Sequence, residues 1–211
     1  MEFKKAVEER KSVRDYTDKP VAIEDLRDIV QTAGRAASWC NAQPWKVYAV
    51  QGEKLARIRT EWAKRLAAEA PTSMDFEGVH REEMTETAAA NMGGFFATVA
   101  PYIEANTMAP QVFYGAPVVL ILTVPKNASQ YAMYDLGAFA QQLMLAAQDK
   151  GISSLVAAMF VSYPDVLRSE LPIPEDEAVA IGISLGYASD AETNSISTSR
   201  MPLDDYLIVC E

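Results

Sequence analysis

The chain has 211 residues, of which 49% are apolar and 23% charged, a composition typical of one soluble globular domain. Nineteen basic and 29 acidic side chains give a net charge of −10. This charge argues against binding to nucleic acid or to an anionic membrane surface, because phosphate would be repelled. Two cysteines and one histidine argue against a disulfide framework and a histidine-rich metal site. The charged N-terminus and the lack of a long apolar run predict a cytoplasmic protein.

The first notable segment is basic in an otherwise acidic chain. Residues 2–11 have the pattern of a short helix, and Arg10, Lys11, Ser12 and Arg14 place three positive charges and a hydroxyl within five residues. Arginine can bind phosphate oxygens through two hydrogen bonds, and a hydroxyl can complete such a site. The alternative is a solvated basic helix end, which the helix dipole favours at a C-terminus.

A polar loop follows the amphipathic helix predicted over residues 23–33. The loop runs from Gly34 to Trp45 and combines small residues with amides and two tryptophans. Asn41 and Gln43 carry both donors and acceptors, and Pro44 favours an extended conformation at the residue before it. Such a loop suits a planar heterocyclic ligand. The alternative is an ordinary connection to the next strand, with Trp45 packed in the core.

The middle of the chain is predicted to contain a strand over residues 46–51 and a helix from 53 to about 70. A break at residues 71–79 precedes a second helical stretch at 81–103, interrupted by Gly93-Gly94 and stopped by Pro101. This region is rich in aromatic and methionine side chains, which suit either a cap over a substrate or a core or dimer interface. These side chains are Met92, Phe95, Phe96, Tyr102, Met108, Phe113 and Tyr114.

The second half alternates apolar strands with helices. Two of its predicted strands are 117–124, buried on both faces, and 178–185. A third strand begins the segment 152–160 and opens into a turn of small residues, and the predicted helices are 135–150 and 163–170. A polar, irregular tail occupies 189–211. The pattern predicts a sheet with helices on both faces. The Rossmann fingerprint, the P-loop and the Gly-x-Ser-x-Gly elbow are all missing from the sequence.

Taken in order, these segments resemble the FMN-dependent nitroreductase family. The opening Glu-Arg-Lys-Ser-Val-Arg-Asp-Tyr is similar to the family's phosphate segment, and Ala37 to Trp45 is similar to its Pro-Ser-x-x-Asn-x-Gln-Pro-Trp loop. Asp135-Leu136-Gly137 resembles the start of the family's central helix, Gly186-Tyr187 its late strand end, and Arg200 its C-terminal basic segment. The resemblance extends from about residue 3 to residue 206.

The resemblance implies a set of cofactor-binding residues and no catalytic side chain or metal ligand. Arg14 would approach the pyrimidine edge of the flavin, where a cation favours the reduced cofactor. The other implied groups hold the phosphate and ribityl chain (Arg10, Lys11, Ser12, Arg200), line the ring from the partner subunit (Ala37, Ser38, Trp39, Asn41), and place backbone amides near its reactive edge (Val156, Ala157, Ala158, Met159).

The resemblance also implies the architecture and the reaction. The expected fold is α+β, a central mixed β-sheet flanked by helices on both faces. It forms a single domain over residues 1–211, with a helical cap at about 62–112 and a C-terminal arm at about 189–211 that is swapped in a homodimer. The expected reaction is ping-pong electron transfer from NADH or NADPH through FMN to nitroaromatics, quinones or similar small acceptors.

Several features depart from the family's pattern and leave alternatives open. Ala37 stands where proline is usual, Thr198 lies where a second basic residue is usual, and Ala158-Met159 replaces Glu-Gly or Gly-Gly. The same scaffold would admit reductive dehalogenation, and a flavin-binding or storage protein without efficient turnover is the alternative of a different class. Cys40 is either redox-active or a bystander thiol.

Overall fold

The computed structural model describes residues 1–76, 78, 80–104 and 112–211, apart from the side chains of residues 103 and 104. Within these ranges the helices are α1 (Phe3–Glu9), α2 (Ile23–Ala33), α3 (Gly52–Ala67), α4 (Glu86–Glu104), α5 (Gln130–Asp149) and α6 (Pro164–Glu170). The strands are β1 (Lys46–Gln51), β2 (Val118–Pro125), β3 (Ser153–Ala157) and β4 (Glu177–Gly186). None of the helices in the described ranges is both long and apolar enough to cross a bilayer.

The four strands form one sheet in the order β1-β2-β4-β3, and all three ladders between them are antiparallel. The α+β class is therefore confirmed, but the expectation of a mixed sheet is wrong for these ladders. The parallel pairing found among the described residues is an isolated bridge between Ser12 and Ser154. Antiparallel sheets often show alternating apolar and polar residues, because one face is exposed to solvent. A strand buried on both faces has a continuous apolar sequence instead, so this sequence did not indicate whether its neighbours are parallel or antiparallel.

Strand β2 separates two hydrophobic cores. Leu120 and Leu122 pack with α2 and α5 on one face of the sheet, whereas Val119 and Ile121 pack with α3 and α6 on the other. Seven of the eight β2 residues are buried. The prediction of helices on both faces is confirmed, because successive strand side chains point to opposite faces and each face meets its own pair of helices.

Helix α4 differs most from its predicted form. It runs without interruption through Gly93, Gly94 and Pro101, where the sequence predicted a break and a stop. Each glycine costs about 1 kcal/mol relative to alanine. An interior proline costs about 3 kcal/mol, because it removes a hydrogen bond and its ring crowds the carbonyl four residues earlier. Pro101 lies only three residues before the last residue of α4, so the helix ends close to the predicted stop. Phe113 is buried in the core beside Trp62, whereas Phe95 and Phe96 are exposed. Met108 lies outside the described residues.

Local structure determines where helix α5 begins and where strand β3 ends. Helix α5 begins at Gln130 rather than 135, because Ser129 caps it by accepting a hydrogen bond from the Ala132 amide. Strand β3 ends at Ala157, and the chain then makes a 3₁₀ turn over Ala158–Val161, which agrees with the turn predicted at the end of this segment.

The tail divides into two parts. Thr193, Asn194 and Ile196 are buried against their own chain, so the segment just after β4 packs on its own domain. Residues 202–211 are all exposed, including Tyr206, Leu207, Ile208 and Val209. The fully exposed part of the predicted arm is therefore its last ten residues.

Candidate functional site

A cleft of about 420 Å³ lies between the end of α1 and the C-terminal tail. The basic segment forms one wall and the tail forms the other, although the two are far apart in sequence. All four residues predicted to hold the FMN phosphate and ribityl chain line it, and so does Arg14, which was predicted to lie at the pyrimidine edge; the four are Arg10, Lys11, Ser12 and Arg200. The remaining lining includes Phe95 of α4 and the tail residues Ile196, Ser197 and Thr198.

The cleft gathers positive charge that the protein itself does not neutralise. In the described part of the chain, none of Arg10, Lys11, Arg14 and Arg200 forms an ion pair with a carboxylate. The two carboxylates at the rim, Glu8 and Glu9, face lysines one turn earlier on α1, at 3.8 and 3.7 Å. Cations held together without a counter-ion form a binding site for an anion.

The pKa of Arg10 reflects this convergence. Burial and then the neighbouring charge of Arg200 lower the pKa of the Arg10 guanidinium from its usual value. An anion placed between the two guanidinium groups would remove the repulsion and satisfy their donors bidentately.

Asn194 fixes the tail wall to the basic wall. Its side-chain oxygen accepts from the Arg14 amide at 2.8 Å, and its NH₂ group donates to the carbonyl oxygens of Asp15 and Ser189 at 2.8 and 3.1 Å. The Ser189 hydroxyl also donates to the Asp15 carboxylate. These contacts bring Arg200, six residues after Asn194, back over the N-terminal segment.

The basic segment also pairs with the edge strand β3. Ser12 and Ser154 form the parallel bridge, in which the Val13 amide donates to the Ser154 carbonyl at 3.0 Å. A parallel bridge runs both segments in one direction, so Arg14 and Val156 each lie two residues beyond it. Val156, Ala158 and Met159 are exposed there and Ala157 is half-buried. None of these four residues lines the cleft.

The loop residues Ala37, Ser38, Trp39 and Asn41 lie apart from the cleft and contribute nothing to its lining. Cys40, Asn41 and Gln43 adopt left-handed conformations, with φ of 47°, 60° and 47°. Such conformations cost about 1–3 kcal/mol each outside glycine and are concentrated at functional sites. Trp39 is 62% exposed and Cys40 is also exposed. Within one chain, the loop is therefore not part of the cationic cleft.

The sequence analysis did not identify Phe95 as a residue that lines the cleft. It also did not identify Asn194 as the clamp, the residue whose hydrogen bonds join the tail to the basic segment. Phe95 sits in an aromatic-rich helix where no pattern distinguishes one ring from its neighbours. Asn194 lies in an irregular tail, and a side-chain amide that bonds to distant backbone leaves no periodic signal. The sequence cue that did exist was Arg200, a lone cation in a polar tail.

The comparison with known families decides the assignment of this fold. A model of the nitroreductase family matches residues 7–187, which include the basic segment, the polar loop and all four strands. The chain belongs to the nitroreductase family. The resemblance inferred from the ordered motifs is thereby confirmed.

Individual nitroreductases align with almost the whole chain. The nitrobenzene nitroreductase of Ectopseudomonas oleovorans is 30% identical over 212 residues, covering 95% of this chain and 93% of that protein. The nitroreductase NfnB of Mycolicibacterium smegmatis is 32% identical over 206 residues, covering 93% and 87%. The crystal structure of FMN-dependent NfnB from Mycobacterium smegmatis in complex with NADPH superposes with a TM-score of 0.89 at 28% identity, covering 99% of this chain and 97% of that one.

Proposed function

We propose that this protein is an FMN-dependent oxidoreductase that takes electrons from NADH or NADPH and delivers them to nitroaromatics, quinones or similar small acceptors. The observation that carries the proposal is the cleft between α1 and the tail. It combines four cations without carboxylate partners and a hydroxyl, on the fold of a family whose members include an FMN-dependent nitroreductase.

The donor set of the cleft fits the phosphate end of FMN. Arg10 and Arg200 would bind the phosphate oxygens through charge-assisted hydrogen bonds, and Lys11 and Ser12 would add a further cation and hydroxyl. In a protein with a net charge of −10, an anionic ligand needs a local cluster of this kind. Phosphate therefore contributes both binding energy and orientation.

The neighbouring residues would position the rest of the cofactor. FMN, when bound, accepts a hydride equivalent and passes electrons to an acceptor, so the protein needs to supply position and charge rather than a catalytic acid or base. Arg14 would lie at the pyrimidine edge. The exposed Val156–Met159 segment, beside Arg14 on the sheet edge, would face the ring with its backbone amides.

We further propose that a second copy of the chain completes the site. The loop carrying Ala37, Ser38, Trp39 and Asn41 does not line the cleft of its own chain, so it would contact the flavin bound by the partner. An apolar groove of about 630 Å³ between α1 and α5, and the exposed Tyr206–Val209 segment, supply surface for such a homodimer. Obligate interfaces are large and apolar in this way.

In this arrangement the nicotinamide donor and the acceptor would use one exposed flavin face in turn, which is the structural basis of a ping-pong reaction. The relatives named for nitrobenzene reduction support a nitroaromatic acceptor. Met159 is 54% exposed and would stand at the edge of that face, in place of the glycine seen in many members. A larger side chain there narrows the space and favours a small, flat acceptor.

Anaerobic mixing of the FMN-loaded protein with NADH or NADPH tests the proposal. We expect rapid loss of the flavin's visible absorbance and its return when a nitroaromatic is added. A protein that binds FMN stoichiometrically but is reduced by neither nucleotide would instead be a flavin-binding or storage protein. A survey of acceptors on the reduced protein then ranks nitroaromatics against quinones.

A further inference from the structure

Helix α5 carries a buried carboxylate that the cleft does not use. Asp135 is only 2% exposed, and no basic side chain in the described ranges lies within ion-pair distance of it. A carboxylate taken out of water is retained where hydrogen bonds compensate for the lost solvent. Its contacts should therefore show what it does.

Its hydrogen-bond partner is the backbone of the polar loop. The Trp39 amide donates to Asp135 Oδ2 at 3.0 Å. Trp39 is the first residue of a 3₁₀ turn over Trp39–Asn41, so its amide has no acceptor within the turn. The carboxylate supplies that acceptor from outside the loop.

The contact belongs to a stripe along α5. Tyr131, Asp135 and Phe139 are spaced four residues apart, which places them on one helix face. The Tyr131 ring stacks with Trp39 at a centroid distance of 6.5 Å, and the Phe139 ring stacks with Trp45 at 4.7 Å. One face of α5 thus contacts the middle of the loop, through the ring and backbone of Trp39, and the end of the loop, through the ring of Trp45.

The loop needs such an external support. Its own hydrogen bonds are short-range, such as the Gln43 amide to Ser38 Oγ at 3.1 Å and the Gln43 side chain to the Asn41 carbonyl at 3.2 Å. These bonds do not orient the loop on the domain. The left-handed conformations at Cys40, Asn41 and Gln43 persist only where surrounding contacts hold them.

We infer that Asp135 is a positioning residue for the flavin-lining loop: its carboxylate holds the Trp39 amide and so fixes Ala37, Ser38, Trp39 and Asn41 in the orientation they present to a flavin. The inference rests on the proposed function, which places these loop residues against FMN. It assigns Asp135 no contact with the cofactor.

The test compares two substitutions of similar size with a matched core variant. Asp135→Asn keeps an oxygen that accepts from the Trp39 amide, whereas Asp135→Leu removes the acceptor. Met144→Ala creates a defect in the same helix and core, nine residues beyond Asp135, and leaves the Asp135 carboxylate in place. We expect Asp135→Leu to weaken FMN binding about tenfold, the size of one charge-assisted hydrogen bond, while Asp135→Asn and Met144→Ala bind like the wild type.

Hydrogen exchange of the Trp39 amide in flavin-free wild type supplies a readout that does not depend on any variant folding. A protected amide, with protection lost in Asp135→Leu and kept in Asp135→Asn, supports the assignment. An unprotected wild-type amide, wild-type FMN affinity in Asp135→Leu, or an equal loss in Met144→Ala would overturn it. Failure of the wild type to bind FMN would refute the proposed function instead, and the exchange measurement keeps the two failures distinct.

Discussion

Asn194 and Asp15 are joined by two hydrogen bonds that run in opposite directions. The Asn194 amide nitrogen donates to the Asp15 carbonyl at 2.8 Å, and the Asp15 amide donates to Asn194 Oδ1 at 3.2 Å. The Asn194 side chain thus bonds to both backbone groups of Asp15, as the backbone of a neighbouring residue in an antiparallel sheet would. Because Asn194 is only 7% exposed, water cannot replace these bonds without opening the tail.

We predict that Asn194→Ala loosens the cleft as well as the fold. It removes the side-chain hydrogen bonds to half-buried backbone groups of Arg14, Asp15 and Ser189, at a cost of about 2–4 kcal/mol in the free energy of unfolding. FMN affinity should fall too, because the tail that carries Arg200 is released. Urea unfolding and flavin titration measure the two effects. Asn194→Ala with unchanged affinity would show that the clamp does not position Arg200.

Reversal of one cleft charge should abolish FMN retention. Arg10→Glu replaces a charge-assisted phosphate contact with repulsion, a change of at least ~2 kcal/mol or about 30-fold in Kd. Lys54→Glu is the matched control, because Lys54 is exposed on α3 and does not line the cleft. Flavin fluorescence titration reports both. Equal losses in the two variants would point to net charge rather than to a site.

Arg14→Ala should leave FMN bound but lower its two-electron reduction potential. Its guanidinium donates to the Ser12 carbonyl at 3.0 Å and makes no described ion pair, so its charge remains available to stabilise the reduced cofactor. Arg57→Ala is the control, since that arginine pairs with Glu170 on the protein surface. The reduction potential of bound FMN is measured against a reference dye in the wild type and in both variants. An unchanged potential in Arg14→Ala would show that Arg14 does not lie at the flavin ring.

A dilution series tests the proposed homodimer, which would hold two FMN molecules at its interface. If both subunits contact each flavin, dissociation must release FMN, and added FMN must favour the dimer by mass action. Sedimentation of flavin-loaded and flavin-free protein should therefore give different dissociation constants. A stable monomer that retains its flavin would rule out the shared site.

Acid stability should depend on Glu177, which is 5% exposed at the start of β4. Burial opposes ionisation, but hydrogen bonds from Lys46, Thr123 and Tyr48 outweigh it and hold the pKa of Glu177 below its usual 4.5. A depressed folded-state pKa stabilises the fold above the unfolded value, and this stabilisation is lost as pH falls through the folded value.

The wild type should therefore lose stability as pH falls below 4.5, the unfolded value, while Glu177→Gln shows a shallower loss over that window. Glu175→Gln serves as the control, because Glu175 is exposed and its contact with Lys126 is long, at 3.8 Å. Urea midpoints across the acid range measure the difference. Parallel profiles for the wild type and Glu177→Gln would contradict the assignment.

The sequence predicted those parts of the structure that local pattern controls. The apolar run of β2 and the spacing of Leu26 and Ile29 in α2 both carry a periodic burial signal, and the structure has these elements where expected. The ordered family motifs located the cleft residues. Strand direction was not accessible, because both faces of β2 and β4 are covered.

What local pattern could not predict depends on contacts across the chain. Cys40 and Gln43 adopt left-handed conformations although neither is a glycine, the residue type that usually marks such positions. The sequence therefore contains no residue that would predict these conformations. The close approach of Tyr16 to Gly186 is a second feature that the sequence could not predict. A Cβ on Gly186 would lie 2.7 Å from the Tyr16 ring, which explains the glycine only once the packing is known.

The hydrogen bond between Arg14 and Asn194 joins residues 180 positions apart, and this separation sets an order of events during synthesis. At roughly 5–20 residues per second, the ribosome needs about 10 to 40 s after making Arg14 before it makes its clamp. During that interval the N-terminal cations have neither the tail wall nor Arg200. A nascent chain thus has no finished anion site, and cofactor loading belongs to the time after translation is nearly complete.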